Sequence, residues 1–347
     1  MNDRGGRRTV AVVGGGAWGT ALVVHLAGTG HDVAWWIRGR SVVERVRERG
    51  DNPAYLPGVT IPKSVQPDHA LPVVLANADL VVTAVPAQFC RGVYRQMAPY
   101  TLESAPVVVA TKGIEEGSLA LPLEVARDEL GSVRPLAVLS GPSFAPEVAR
   151  GLPTAVVVSS TDRDLAQDLQ RSLSSLSFRL YTNADPVGVQ VAGAVKNVLA
   201  IAAGVADSLG MGTNALAAFV TRGLNEMGRL ALALGGAPAT LSGLAGLGDL
   251  VLTCTGELSR NRRVGQRLGR GERLEDILAT SRSVAEGVAT TRAACGLARR
   301  VGVDMPIVEE VHRILFDEGS PREALERLLN RPLTSEEERG AHPSIPR

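Results

Sequence analysis

Short runs of β-branched and aliphatic residues punctuate the first half of the chain, at Thr9–Val13, Asp32–Ile37, Leu80–Val85, Val107–Ala110, Leu136–Leu139 and Ala155–Val158. Their apolar positions are nearly continuous, the pattern of strands buried on both faces. Segments with helical spacing lie between several of them, such as Trp18–Thr29, Gln88–Pro99 and Leu119–Leu130. This alternation predicts an α/β fold with a doubly wound parallel sheet. Phe178–Thr182 reads as a further strand, and Asn183-Ala184-Asp185-Pro186 as a turn and a boundary. Beyond it the strand pattern stops. Helical spacing with glycine punctuation follows, so two domains are expected, residues 1–186 and an all-helical 187–330. The Pro-rich, charged stretch 331–347 is expected to be a loose tail.

One run departs from this pattern. VGVQVAGAVKNVLAIAAGVA, Val187 to Ala206, is small and apolar except for Gln190, Asn197 and a single charge, Lys196. Its i±3 and i±4 neighbours are Ala192, Gly193, Leu199 and Ala200, so no helical ion pair neutralises it. A lysine at the centre of a membrane helix costs roughly 2.5–3.5 kcal/mol, which Ala and Gly do not offset. The run therefore reads as a buried helix of a water-soluble protein, with Lys196 a candidate site.

Composition narrows the partners. A formal net charge of +1 gives no basic field for nucleic acid or anionic membrane. Aromatics make up only 3 % of 347 residues, so the core must rest on Ala, Val, Leu and Gly. Cys90, Cys254 and Cys295 lie far apart, which fits a reducing, cytoplasmic compartment and no metal site. The basic start, MNDRGGRR, runs straight into a strand broken by glycines, which is not the pattern of a signal peptide.

Gly14-Gly15-Gly16-Ala17-Trp18-Gly19 follows the first strand and opens a helix, in the pattern G-x-G-x-x-G. Gly14 permits the tight turn, Gly16 the approach of a pyrophosphate, and Gly19 close helix–strand contact. The phosphates of a dinucleotide would sit on the helix N-terminus. The second strand runs into Arg38, where an acidic residue would bind the ribose of NAD. Arg38, with Arg40 near it, suits the 2′-phosphate of NADP(H) or is a solvated loop arginine. Lys112, at a later strand end, faces either a ligand or the surface.

Farther on, Gly243, Gly246 and Gly248 shape a loop ending in Asp249, which points into a cleft or caps a helix. Ser259-Arg260-Asn261 precedes a segment with helical spacing from Arg262, either a phosphate anchor or a capped helix with a solvated basic face.

Together GGGAWGTAL, NPAYLPG, TKGIE, LSGPSFAPEVARGLPT, VAGAVKNVLAIAAG, GLGDLVLTCTGELSRNRRVG and AEGVATT resemble the NAD(P)-dependent sn-glycerol-3-phosphate dehydrogenases of bacterial type, in order from Thr9 to Leu329. The resemblance implies a Rossmann domain, then an all-helical domain like the C-terminal one of 6-phosphogluconate dehydrogenases, with the active site between them. It implies that NADPH/NADP or NADH/NAD reduces dihydroxyacetone phosphate to sn-glycerol 3-phosphate, reversibly, for glycerophospholipid synthesis. Lys196 would be the catalytic lysine, with Lys112 and Asp249 beside the reacting groups. The substrate would also meet Gly141, Ser143, Asn197, Thr253, Ser259, Arg260 and Asn261. Cofactor contacts would come from Gly14, Gly16, Ala17, Trp18, Gly19, Arg38, Tyr55, Lys112, Ala145, Arg260, Val284 and Glu286. Many relatives have Ser at the position of Ala17, so the contact there would rely on backbone N–H alone. A homodimer through the helical domain is a further expectation. Related 3-hydroxyacid or 6-phosphogluconate-type dehydrogenases share a lysine on a helix of the second domain, but not the Asp249 loop or the Ser259-Arg260-Asn261 segment. A non-catalytic dinucleotide sensor would not need Lys196, Asp249 and Arg260 together.

Overall fold

A computed structural model describes residues 6–280 and 285–332. Its strands are β1 (Thr9–Val13), β2 (Asp32–Trp36), β3 (Asp51–Asn52), β4 (Leu56–Thr60), β5 (Gln66–Asp68), β6 (Leu80–Thr83), β7 (Val107–Val109), β8 (Leu136–Ser140), β9 (Thr154–Ser159) and β10 (Phe178–Asn183). Eight form one sheet in the order β10-β9-β8-β7-β6-β1-β2-β5, and β3 and β4 form a separate hairpin. Along β1, Val10 and Val12 join one apolar cluster while Ala11 and Val13 join another on the opposite face. Burial on both faces is why these strands lack alternation.

The sheet is parallel from β5 to β8, but β9 runs antiparallel to β8 and pairs in parallel with β10. The expected doubly wound parallel sheet thus carries one antiparallel pairing, between β8 and β9. Between β8 and β9 the helix is only Ala145–Ala149, which packs on the first helix, Ala17–Gly28, and does not recross the sheet. Helix Arg163–Leu173 does cross over, so β10 runs parallel to β9 and shares its reversed sense. The helix expected from Leu119 begins instead at Pro122, with proline in the first turn. The expected glycine loop before Asp249 is a π-helical turn, Leu244–Gly248, running directly into helix Asp249–Thr255.

After β10 the described elements are all helical. The first of these, Pro186–Ser208, is the lysine helix, and Asp185 caps it by accepting from Gly188 N at 2.8 Å. It is long and apolar enough to cross a membrane, yet 89 % of its most apolar stretch is buried inside the fold. Its glycines explain how. A Cβ on Gly204 would lie 2.0 Å from the Arg262 carbonyl oxygen, and one on Gly265 would lie 1.9 Å from that of Ile201. The lysine helix and helix Arg260–Gly269 therefore touch backbone to backbone. Of the stretch 331–347, expected as a loose tail, residues 333–347 lie outside the described residues.

Candidate active site

The lysine helix crosses the carboxyl ends of β7 and β8, where ligands of open α/β sheets bind. Gly193 makes the crossing possible, since a Cβ there would lie 3.0 Å from Ser140 Oγ and 3.6 Å from Lys112 Cγ. Lys112 follows β7 and Gly141 follows β8. Gly141 adopts φ +135°, and a Cβ there would lie 2.9 Å from Val156 Cα, so a larger residue would be strained.

Around this crossing Lys196 and Lys112 share one carboxylate. Lys196 Nζ donates to Asp249 Oδ1 at 2.5 Å and to Thr253 Oγ1 at 2.8 Å. Lys112 Nζ donates to Asp249 Oδ2 at 2.7 Å and to the Gly141 carbonyl at 3.2 Å. Thr253 donates its own hydroxyl proton to the Asp249 carbonyl at 2.6 Å, which leaves its oxygen free to accept from Lys196. Lys196 and Asp249 are 5 % and 1 % exposed. Burial brings the Lys196 ammonium down to about 7; Asp249 opposes the shift and Lys112 adds to it. Asp249 is the first residue of its helix and follows the cap, Gly248. Its carboxylate serves the two lysines.

On one side of the lysines, Ser259 caps helix Arg260–Gly269 by accepting from Arg262 N at 3.2 Å. Arg260, the first residue of that helix, is exposed and has no hydrogen-bond or ion-pair partner among the described residues. The amides of Asn197 and Asn261 are spent on structure. Asn261 Nδ2 donates to Asn197 Oδ1 at 3.0 Å, Asn197 Nδ2 donates to the Gly193 carbonyl at 3.3 Å, and Gly287 N donates to Asn261 Oδ1 at 3.1 Å. They tie three helices together behind the lysine. Ser143 likewise donates to the Gly141 carbonyl at 2.9 Å.

On the other side lies the glycine turn. Gly14 adopts φ +139°, and Cβ atoms on Gly14 and Gly19 would lie 2.5 Å from Ala84 O and 2.0 Å from Gly14 O. A Cβ on Gly16 would meet nothing within 4 Å. The glycine turn is closed behind and open in front, and Ala17 opens its helix with no side-chain cap on the N–H groups. Those features fit a pyrophosphate. Trp18 turns its ring toward Phe178, 6.5 Å between centroids, so its contribution at the turn is its backbone. Arg38 is exposed beyond β2, and Tyr55 is exposed on the β3–β4 turn. Ala145 begins the short helix packed on Ala17–Gly28. Glu286, first in helix Glu286–Val301, has its carboxyl pushed up by burial, while Arg260, Lys112 and Lys196 pull it down. Val284 lies outside the described residues.

Several supporting residues carry no signature in the sequence. Asn52 and Trp35 donate to the carbonyls of Gly15 and Gly14 at 3.0 and 2.9 Å. Gln88 donates to the Ile114 carbonyl and accepts from Glu116 N, both at 2.8 Å, and so clamps the loop after Lys112. None lies at a diagnostic spacing from what it supports; for Asn52, only its place in the NPAYLPG segment offered a signal.

Two family models match the chain. One, described as NAD-dependent glycerol-3-phosphate dehydrogenase N-terminus, covers residues 9–166. The other, described as NAD-dependent glycerol-3-phosphate dehydrogenase C-terminus, covers residues 185–326. A glycerol-3-phosphate dehydrogenase (NAD(P)+) of Nitratidesulfovibrio vulgaris is 48 % identical over 328 residues, 94 % of this chain and 99 % of the relative. One from Koribacter versatilis is 48 % identical over 332 residues, 94 % and 98 % of the two chains. The crystal structure of glycerol-3-phosphate dehydrogenase from Coxiella burnetii superposes with a TM-score of 0.90 at 40 % identity, over 94 % of this chain and 99 % of that one.

Proposed function

The chain belongs to the NAD-dependent glycerol-3-phosphate dehydrogenase family, and from that premise we propose how its cleft divides the work. The protein is an NAD(P)-dependent oxidoreductase acting on a CH–OH group, interconverting dihydroxyacetone phosphate and sn-glycerol 3-phosphate. The nicotinamide, when bound, supplies or accepts the hydride.

Lys196 supplies the proton. As a hydride reaches the ketone carbon, charge grows on its oxygen, and an ammonium within reach stabilises it and then protonates it. In the reverse direction the neutral amine takes the hydroxyl proton. The observation that carries this role is a buried ammonium brought to about 7 and held by Asp249 and Thr253. Asp249 aims Lys196, and Lys112 binds the other oxygen of the same carboxylate and lends positive charge to the cleft. Arg260 and the helix it opens bind the substrate phosphate, with Ser259 fixing that helix end. Asn197, Asn261, Gly141 and Ser143 shape the pocket around the substrate. Gly16, Ala17 and Trp18 take the pyrophosphate on backbone, with Gly14 and Gly19 shaping the turn that holds it; Arg38 takes the 2′-phosphate of NADP(H); and Tyr55, Ala145, Val284 and Glu286 complete the cofactor side. The buried, free cysteines support a cytoplasmic setting. A homodimer through the helical half is part of the reading, and sedimentation tests it.

The deciding experiment is steady-state NADPH oxidation with dihydroxyacetone phosphate by Lys196→Ala, beside NADPH binding by fluorescence. The expected result is a loss of most of kcat with the cofactor Kd unchanged. Normal turnover would sink the assignment.

A further inference from the structure

The three carbonyls of the glycine turn are each held from behind by a different side chain. Trp35 Nε1 donates to Gly14 O at 2.9 Å, Asn52 Nδ2 to Gly15 O at 3.0 Å, and Thr20 Oγ1 to Gly16 O at 2.8 Å. Asn52 Nδ2 also donates to Thr20 Oγ1 at 2.9 Å, so one amide holds Gly15 directly and steadies the hydroxyl that, beside the Thr20 N–H at 2.9 Å, holds Gly16. In a trans peptide the C=O and the next N–H point in opposite directions. Pinning the Gly15 and Gly16 carbonyls inward therefore turns the N–H groups of Gly16 and Ala17 outward, toward the open side of the turn.

Asn52 comes from outside the strand–turn–helix unit, as the last residue of β3 in the hairpin that follows helix Arg40–Arg49. It is 1 % exposed. Its orientation is fixed by chemistry: the Gly15 carbonyl has no proton to give, and the Thr20 hydroxyl has already given its own to Gly16. Only the NH2 side of the amide satisfies both, and Oδ1 is left buried without a donor. Arg45 anchors the preceding residue, donating to Asp51 Oδ1 and Oδ2 at 2.8 and 2.9 Å.

We propose that Asn52 is a positioning residue for the dinucleotide, aiming the Gly16 and Ala17 N–H groups at the pyrophosphate through the Gly15 carbonyl and the Thr20 relay. It touches neither substrate nor reacting atoms. The inference rests on the reading that the glycine turn holds the pyrophosphate. Its importance is raised by Ala17, which offers no hydroxyl of its own, so the backbone N–H groups carry the contact.

The test is NADPH Kd by fluorescence titration of purified Asn52→Ala, Asn52→Asp, Thr20→Val and the Asn52→Ala/Thr20→Val double variant, beside melting temperature. Adenosine 2′-phosphate, which lacks the pyrophosphate, serves as a second ligand by displacement. Asn52→Ala should raise the NADPH Kd about tenfold, since preorganisation of the donors is lost. Asn52→Asp should raise it further by setting a carboxylate against the Gly15 carbonyl and beside the phosphates. Thr20→Val should raise it about threefold, the size of one neutral hydrogen bond. The double variant should be no weaker than Asn52→Ala by more than roughly twofold, because both changes break one relay. Affinity for adenosine 2′-phosphate and the KM for dihydroxyacetone phosphate should hold. A folded Asn52→Ala that keeps the wild-type NADPH Kd, or loses both ligands equally, overturns the proposal. If Asn52→Ala does not fold, Asn52→Asp, which removes the donor at the same size, decides alone, an unchanged NADPH Kd overturning the proposal. Failure of wild type to bind either NADPH or NADH would instead strike the reading of the glycine turn.

Discussion

Two carboxylates in the helical half are almost equally removed from water: Asp249 at 1 % and Glu226 at 3 % exposure. They are satisfied by different means. Asp249 faces two ammonium groups, Lys196 and Lys112. Glu226, on helix Gly212–Ala233, accepts, among the described residues, only backbone N–H groups, from Ile307 at 2.8 Å and Val308 at 3.3 Å, at the start of helix Pro306–Phe316. Burial pushes the Glu226 carboxyl up to about 7 because two neutral donors offset little of the lost hydration. Beside Asp249 the perturbed partner is the lysine, brought down to about the same value. Burial alone therefore does not mark a catalytic acid–base group. What separates the two is geometry: the Asp249 cluster lies at the strand ends, where its two lysines and Arg260 all act on Glu286, whereas Glu226 joins two helices.

The largest effect that tests this contrast is on turnover. Lys196→Met should lower kcat by ~10³-fold, within the range for a positioned general acid, while Glu226→Gln should leave kcat within roughly twofold of wild type. A large catalytic loss in Glu226→Gln would break the distinction. Next, Asp249→Asn should lower kcat by ~10²-fold, because the lysine loses its orienting charge. Arg260→Ala should act mainly on substrate affinity, raising the KM for dihydroxyacetone phosphate by about tenfold or more, as expected for a charge-assisted contact. An unchanged KM would remove its phosphate role.

The pH dependences have opposite forms. Ketone reduction needs the protonated lysine, so kcat/KM should fall as pH rises through about 7; alcohol oxidation needs the neutral amine, and its kcat/KM should rise through the same region. Stability separates the groups again. Folded Glu226 holds a proton between the ordinary 4.5 and about 7 that the unfolded chain has lost. Its contribution therefore declines as pH rises across that window, by at most about 1.4 kcal/mol per pH step of one. Lys196 works the other way: between about 7 and 10.5 the unfolded chain binds the extra proton, so stability from this group rises with pH. Thermal melts of Glu226→Gln should lose the acid-side slope, and a slope equal to wild type would count against the assignment. The smallest effect expected is that Lys196→Met melts no lower than wild type, since the buried charge costs stability and Asp249 keeps Lys112.

Much of this was legible in residue order. The glycine turn joins a strand to the helix that directly follows it, so the spacing of Gly14, Gly16 and Gly19 reveals it, although Gly14 also has to clear Ala84 on a distant strand end. The central strands were equally plain, because burial on both faces leaves them apolar throughout. Less visible were the edge strand β5 and the β3–β4 hairpin, whose short segments have polar and proline residues and no period. The reversed sense of β9 was invisible too. It depends on whether the connection from Ser140 to Thr154 recrosses the sheet, which helix Ala145–Ala149 settles by packing on a different helix.

By itself the sequence determined the alternation of strands and helices, the place of the dinucleotide turn, and the oddity of a lone lysine in an apolar helix. Local sterics and hydrophobic period fix those. Only the tertiary structure decided what the lysine meets. Gly204 and Gly265 let the lysine helix meet helix Arg260–Gly269 at backbone distance, Gly193 lets it pass over Ser140 and Lys112, and packing against helix Asp249–Thr255 brings in Asp249 and Thr253, 53 and 57 residues away. The position of a carboxylate so distant along the chain is a product of packing, and the properties of the ammonium follow from its surroundings in space.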